Sequence, residues 1–119
     1  MKKFLLIDDD ESELVYVKFL LKDRYNDDFT LAYAKTLEEA QSYLASEDVD
    51  KILLDDNLGN GLTSADTIPL LQKNSGNVPI IIISKDIDGA HLKDQIHQKV
   101  NKVIDKFDLR AQLALGVFD

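Results

Sequence analysis

The stretch Phe4-Leu5-Leu6-Ile7-Asp8-Asp9-Asp10 places three carboxylates directly after four apolar residues. Strands of a parallel sheet that is buried on both faces read as continuous apolar runs, because neither side of such a strand meets water. More runs of this kind follow along the chain, at Ile52–Leu54, at Val78 with Ile80–Ile83, and at Val103-Ile104. The sequence therefore predicts a buried parallel sheet.

Segments with helical spacing lie between these runs, so strand and helix alternate five times. Strands are predicted at about 3–7, 29–32, 51–54, 78–83 and 102–104. Helices are predicted at about 11–25, after a capping box of Thr36 and Glu39, at about 64–73, from about 89 or 90, and from Asp108 to the end of the chain. This alternation predicts an α/β fold, a right-handed doubly wound parallel sheet of five strands with helices on both faces. The alternation does not fix the strand order; the flavodoxin-like order 2-1-3-4-5, which we expect, would set the first strand beside the third.

Polar side chains stand at or just beyond the ends of the predicted strands, at Asp8 and Asp9, Asp55, Ser84 and Lys106. In open α/β sheets, ligands bind in the crevice beyond the carboxyl ends of the strands. Carboxylates that face each other there repel unless a cation lies among them. Three carboxylates, one hydroxyl and one ammonium suit a Mg²⁺ ion, a phosphoryl group and an acceptor aspartate.

The bulk composition excludes several classes of function. The chain has 119 residues, a formal net charge of -8 and no cysteine. This length suits one domain, and no output domain is expected after the last helix. The acidic balance argues against nucleic-acid binding, and the lack of cysteine excludes disulfides and thiolate zinc sites. No apolar stretch reaches the roughly 18 residues of a membrane span. Because Met1-Lys2-Lys3 also lacks a signal-peptide pattern, we expect no membrane contact and a cytoplasmic location.

The order of these segments resembles the receiver domain of bacterial two-component response regulators. The resemblance covers essentially the whole chain. It rests on an acidic first-strand motif, an acceptor strand, a strand that ends in a hydroxyl residue, and a lysine segment after the fifth strand. These are Leu5–Asp10, Asp50–Asp55, Pro79–Ser84 and Lys106–Asp108.

The resemblance implies a role for each polar residue of the predicted crevice. Asp55 would accept a phosphoryl group from a phosphohistidine, and Ser84 and Lys106 would contact that group. The implied function is a phospho-acceptor signalling module that assists its own phosphorylation and dephosphorylation and is not a turnover enzyme. The implied ligands of Mg²⁺, or Mn²⁺, are Asp8, Asp9, Asp55 and the backbone carbonyl of Asn57.

Four positions depart from the residues that are usual in this family. Gly59 and Phe107 stand where proline is usual, and Lys85 stands where a small residue is usual. Lys85 would modulate access to the phosphoryl group. Val103 stands where the family has an aromatic switch residue, so the conformational response is expected to centre on 84–89 and the fourth helix.

Two helices carry more apolar surface than one buried face needs. Val15 and Phe19 lie off the apolar stripe of the first helix, and Leu115 and Phe118 lie opposite the core positions of the last helix. We expect all four to be exposed docking residues; the open alternative is that they are scattered surface hydrophobes, which are normal. By resemblance, the partners are a histidine kinase or a histidine phosphotransfer protein, and a downstream protein or a second copy at the face of the fourth helix, fifth strand and fifth helix.

Two other functions stay open at this point. One is a receiver-like interaction module that is never phosphorylated. The other is a small phosphatase of haloacid dehalogenase type, because Asp8-Asp9-Asp10 contains the spacing Asp-x-Asp. Those enzymes need a further acidic pair after their Ser and Lys motifs, whereas here Asp55 precedes Ser84. His91 and His97 lie six apart, which is not the spacing of helix neighbours, and are interpreted as surface residues.

Overall fold

The computed structural model describes residues 1–56, 64–75, 78–84, 102–116 and 118. Five parallel strands form one sheet in the order β2-β1-β3-β4-β5, which confirms the predicted architecture. The strands are β1 (Lys2–Ile7), β2 (Phe29–Ala34), β3 (Lys51–Asp55), β4 (Ile80–Ser84) and β5 (Lys102–Asp105). The helices are α1 (Glu11–Tyr25), α2 (Leu37–Ser46), α3 (Ser64–Ser75), a 3-10 turn (Lys106–Asp108) and α4 (Leu109–Ala114).

The helix predicted to begin near residue 89 or 90 lies outside the described residues, so α4 corresponds to the fifth predicted helix. None of the helices in the described part of the chain is long and apolar enough to cross a membrane.

The apolar runs of β1, β3 and β4 are buried because the sheet is covered on both faces. Alternate residues of the central strands face opposite layers, since successive side chains of a strand point to opposite sides. One layer packs α2 and α3 against the sheet, and its strand residues are Leu5, Ile7, Ile52, Leu54, Ile80 and Ile82. The other packs α1 and α4, and its strand residues are Phe4, Leu6, Leu53, Ile81, Ile83 and Ile104.

Local capping fixes where the helices begin. The Asp10 side chain accepts a hydrogen bond from the Ser12 N–H at 2.9 Å and starts α1 where the sequence predicts. The Thr36 hydroxyl accepts from the Glu39 N–H at 3.1 Å and starts α2. Asp108 was predicted to cap the last helix, and it makes no side-chain capping bond. Instead, Asp105 accepts from the Phe107 N–H at 2.9 Å and starts the 3-10 turn that precedes α4.

The C-terminal end corrects two predictions. α4 ends at Ala114 instead of continuing to the end of the chain, because Gly116 adopts φ 81 and its N–H bonds to the Leu113 carbonyl at 3.0 Å. A left-handed glycine after the last turn is a common helix stop. The prediction that Phe118 is exposed is therefore wrong. Its ring lies 5.8 Å from the Phe4 ring and is 0% exposed, whereas Leu115 is 81% exposed, as predicted.

These two residues make a matched test of the C-terminal packing. We expect Phe118→Ala to lower the free energy of unfolding by about 3 kcal/mol, because it leaves a cavity beside Phe4. Leu115→Ala should change it by less than about 0.5 kcal/mol, because Leu115 is exposed. Urea denaturation at neutral pH measures both variants. Equal losses in the two variants would contradict the packing described for this end of the chain.

Candidate functional site

The strand ends bring the predicted polar residues to one edge of the sheet. Ile7 pairs with Leu54 in the register of β1 and β3, so Asp8 and Asp55 leave the sheet at the same level. Ser84 pairs with Asp105 at the ends of β4 and β5, and Lys106 follows Asp105. Asp8, Asp55 and Ser84 are buried, although each is polar. The buried polar groups thus concentrate beyond the carboxyl ends of the strands.

Three carboxylates meet at this edge. Asp8, Asp9 and Asp55 each offer an oxygen, and these oxygens lie within 4.8 Å of one another. Asp8 and Asp55 are buried, whereas Asp9 is exposed. Hard oxygen ligands at this spacing fit a hard divalent cation such as Mg²⁺, which usually keeps several waters and takes only a few carboxylates. The residues present therefore fit a magnesium or manganese ion.

Lys106 supplies positive charge to this cluster. Its Nζ lies 3.3 Å from Asp55 Oδ1, 3.5 Å from Asp8 Oδ2 and 3.6 Å from Glu13 Oε1. Burial alone would lower the pKa of Lys106, but the attraction of Asp55, Asp8 and Glu13 outweighs burial and raises that pKa. The lysine is therefore positively charged at neutral pH and offsets part of the carboxylate charge.

Asp8 is an acid of the site whose pKa is clearly shifted. Burial raises the pKa of Asp8 from 3.8 to about 6, and repulsion from Asp55 adds to this rise. The Asp10 N–H donates to Asp8 Oδ1 at 2.9 Å, and this bond and Lys106 oppose the rise without cancelling it. Without a cation, Asp8 is thus partly protonated at mildly acidic pH.

Two residues of the site were not predicted. Glu13 lies in the first turn of α1 and contacts Lys106. Tyr33 lies on β2, and its hydroxyl donates to the Asp8 backbone carbonyl at 2.6 Å. Burial, followed by repulsion from Asp8 and other nearby carboxylates, raises the pKa of Tyr33. The alternation of Phe29, Leu31 and Tyr33 places the ring on the α1 side, but no motif marks its hydroxyl.

The remaining predicted positions fall into two groups. Val15 and Phe19 are exposed on α1, and Phe107 is exposed directly after Lys106. Val103 is partly buried and packs against the layer of α2 and α3. Asn57, Gly59, Lys85, His91 and His97 lie outside the described residues.

Comparison with known proteins identifies the class of protein that this fold and site define. The family model of the response regulator receiver domain matches residues 4–114. The chain belongs to this family. It is thus a receiver domain of two-component response regulators, the phospho-accepting signalling module of these systems. The family match lends no support to the phosphatase or to the unphosphorylated module.

Solved structures show the same fold at low sequence identity. A response regulator receiver domain protein (CheY-like) from Methanospirillum hungatei JF-1 has a TM-score of 0.82 and 17% identity, covering 99% of this chain and 91% of that chain. The receiver domain of a sensor histidine kinase from Pseudomonas aeruginosa PAO1, with magnesium coordinated in its active site cleft, has a TM-score of 0.78 and 18% identity, covering 95% and 91%.

A response regulator from Burkholderia pseudomallei, with a phosphorylated aspartic acid, calcium and citrate, has a TM-score of 0.72 and 22% identity. The match covers 89% of this chain and 60% of that chain. No curated protein matches this sequence.

The raised pKa of Asp8 predicts how stability depends on pH in the absence of divalent metal. The folded protein holds the Asp8 proton more tightly than the unfolded chain does, with a pKa of about 6 against 3.8. The contribution of this proton to the free energy of unfolding is therefore fully present below about pH 4, and it is lost as the pH rises through about 6. The loss is on the order of 3 kcal/mol, because one pKa unit corresponds to about 1.4 kcal/mol.

Urea unfolding of the parent and of Asp8→Asn, both in chelator, measures this loss. Asp8→Asn lacks the titrating group, so it should gain on the parent between about pH 4 and pH 7 by that amount. Parallel stability profiles for the two proteins would show that Asp8 has an ordinary pKa in the folded state.

Proposed function

We propose that Asp55 is the acceptor of the phosphoryl group. The observation that carries this proposal is the position of Asp55, whose Oδ1 lies 3.3 Å from the Lys106 ammonium while it shares a carboxylate cluster with Asp8 and Asp9. Asp8 is also buried, contacts Lys106 and belongs to the cluster, but its Oδ1 accepts a hydrogen bond from the Asp10 N–H and its side chain is only 3% exposed. Asp55 combines the shortest of the three carboxylate contacts to Lys106 with a side chain that is 12% exposed. This combination makes the carboxylate reachable from the crevice and lowers the cost of adding further negative charge to it.

The transfer itself is a displacement at phosphorus. An Asp55 carboxylate oxygen attacks the phosphorus of a phosphohistidine, a P–O bond forms, and the P–N bond breaks with its electron pair passing to the imidazole nitrogen. The product is a mixed anhydride of Asp55 and phosphate, and the donor histidine is left neutral once it takes a proton from water. Negative charge spreads over the three equatorial oxygens during this transfer.

The cation ligands are proposed to be Asp8, Asp9 and Asp55, with the Asn57 backbone carbonyl added on the family resemblance alone. Bound Mg²⁺, or Mn²⁺, would supply positive charge to the transferring phosphoryl group. Two protein side chains would act together with this charge. Lys106 pairs with a phosphoryl oxygen, and Ser84, buried at the end of β4, donates its hydroxyl to another.

The donor is proposed to be a histidine kinase or a histidine phosphotransfer protein. Exposed Val15 and Phe19 on α1 would contact it, because α1 begins at the acidic edge of the sheet and presents these side chains to solvent. Leu115, which is also exposed, would contact a downstream protein or a second copy. The module is proposed to act through such contacts and to turn over no separate substrate.

Acetyl phosphate tests the acceptor assignment without a donor protein. With Mg²⁺ present, the parent should gain about 80 Da, the mass of one phosphoryl group on a nucleophile. Asp55→Asn should gain nothing, because the amide is not a nucleophile at neutral pH. Asp56→Asn is the matched control, since it removes the neighbouring acid, and it should label like the parent. Intact mass spectrometry measures all three proteins.

Lys106→Ala is treated with acetyl phosphate and Mg²⁺ in the same way, and its mass gain is compared with that of the parent. It should retain some labelling, because the divalent ion still offsets charge in the transition state. Labelling of Asp55→Asn at another carboxylate would contradict the acceptor assignment.

A Mg²⁺ titration tests the ligand assignment. At Mg²⁺ ten times above Kd, mass action adds about 1.4 kcal/mol to the free energy of unfolding, which is about 5 °C in Tm for a domain of this size. Asp9→Asn should lose most of this gain. Asp10→Asn should keep most of it, because asparagine caps a helix about as well as aspartate does. Equal gains in the parent and in Asp9→Asn would remove Asp9 from the site.

A further inference from the structure

Lys106 is shared by three carboxylates, and one of them belongs neither to the sheet edge nor to the proposed cation site. Asp8 and Asp55 leave the strand ends, whereas Glu13 reaches Lys106 from the first turn of α1 at 3.6 Å. We propose that Glu13 is a positioning residue for Lys106. It holds the ammonium in the resting state and competes for it with the phosphoryl group on Asp55. This inference rests on the proposed function.

The local structure of α1 directs Glu13 to this contact. A glutamate three residues after the N-cap commonly reaches back to the N-cap N–H. Here Asp10 is the N-cap, and its N–H donates to Asp8 Oδ1 at 2.9 Å instead. The Asp10 N–H, from which a glutamate at position 13 would commonly accept a hydrogen bond, is therefore already bonded to Asp8. The Glu13 carboxylate extends across the crevice to Lys106.

Partial burial makes the attraction between Glu13 and Lys106 stronger than that of an ordinary surface ion pair. The side chains of Lys106 and Glu13 are 11% and 18% exposed. On the same turn, Glu11 pairs with Lys35 at 3.5 Å, but those side chains are 72% and 53% exposed. Water and salt screen an exposed pair strongly, so such pairs contribute little. The attraction between Glu13 and Lys106 is screened less, because little water reaches it.

Phosphorylation of Asp55 would add a new negative group that competes for the Lys106 ammonium. Lysine is a compact point charge that can be shared among several oxygens. A phosphoryl group on Asp55 would add negative charge next to Asp55 Oδ1, which lies 3.3 Å from the ammonium. The phosphoryl oxygens would then draw Lys106 away from Glu13. Glu13 therefore lowers the affinity of the crevice for a phosphoryl group, through its hold on this one cation.

Beryllofluoride, an anionic mimic of an aspartyl phosphoryl group, tests the competition at equilibrium. A titration in saturating Mg²⁺, followed by ¹⁹F NMR of the bound fluorines, gives the Kd of the mimic. Glu13→Gln keeps the side-chain shape and a good helix propensity, and it should bind the mimic about 3- to 10-fold more tightly than the parent. Glu11→Gln removes the same charge from the same turn and should leave Kd within about 2-fold, because its pair is exposed.

A double-mutant cycle with Lys106→Ala separates action through the lysine from simple charge repulsion. The tighter binding of the mimic caused by Glu13→Gln should disappear in the Lys106→Ala background, because no ammonium is left for which Glu13 and the mimic can compete. Persistence of the full tightening there would overturn the inference, and so would an unchanged Kd in Glu13→Gln alone. A parent that does not bind the mimic at all would instead overturn the proposed function, and this inference with it.

Discussion

The Lys106 ammonium faces three carboxylates at the carboxyl edge of the sheet, and among the described residues the site depends on this imbalance of charge. Lys106 contacts Asp55, Asp8 and Glu13, and Asp9 adds a further carboxylate to the cluster. The strand register forces the charges together, since β1 and β3 end at the same level. The buried carboxylates cannot separate without breaking the sheet. Among the described residues, charge balance comes from Lys106, and protonation or a bound cation would add to it.

Under the proposed function, the same constraint makes the site sensitive to a phosphoryl group. Buried like charges lower the stability of the folded protein. Such arrangements cluster at functional sites, because they do not help the chain to fold. Asp8 relieves part of the repulsion through its raised pKa, and Tyr33 holds the backbone of the Asp8 turn in place. A phosphoryl group on Asp55 would redistribute Lys106 among these partners. Under the proposed function, this redistribution is the first step by which phosphorylation changes the conformation of the protein.

The fold and the sheet-edge residues of the candidate site could be predicted because they follow from rules that act locally along the chain. Apolar runs mark buried strands, and the one or two residues after each run must lie at the sheet edge, which brings Asp8, Asp55 and Lys106 together. Phe118 could not be predicted, because helical spacing does not show that Gly116 stops α4 and turns the ring toward Phe4. Glu13 and Tyr33 were missed because their partners lie far away in sequence and belong to no motif.

Reduction of the phosphorylated protein with borohydride tests the central claim most directly. Borohydride converts an aspartyl phosphate to homoserine, which marks the acceptor permanently. The protein is treated with acetyl phosphate and Mg²⁺, reduced and digested, and its peptides are sequenced by mass spectrometry. Homoserine at position 55 alone is the expected result. Homoserine at Asp8, Asp9 or Asp56, or its absence from every position of the labelled protein, would contradict the assignment of Asp55 as the acceptor.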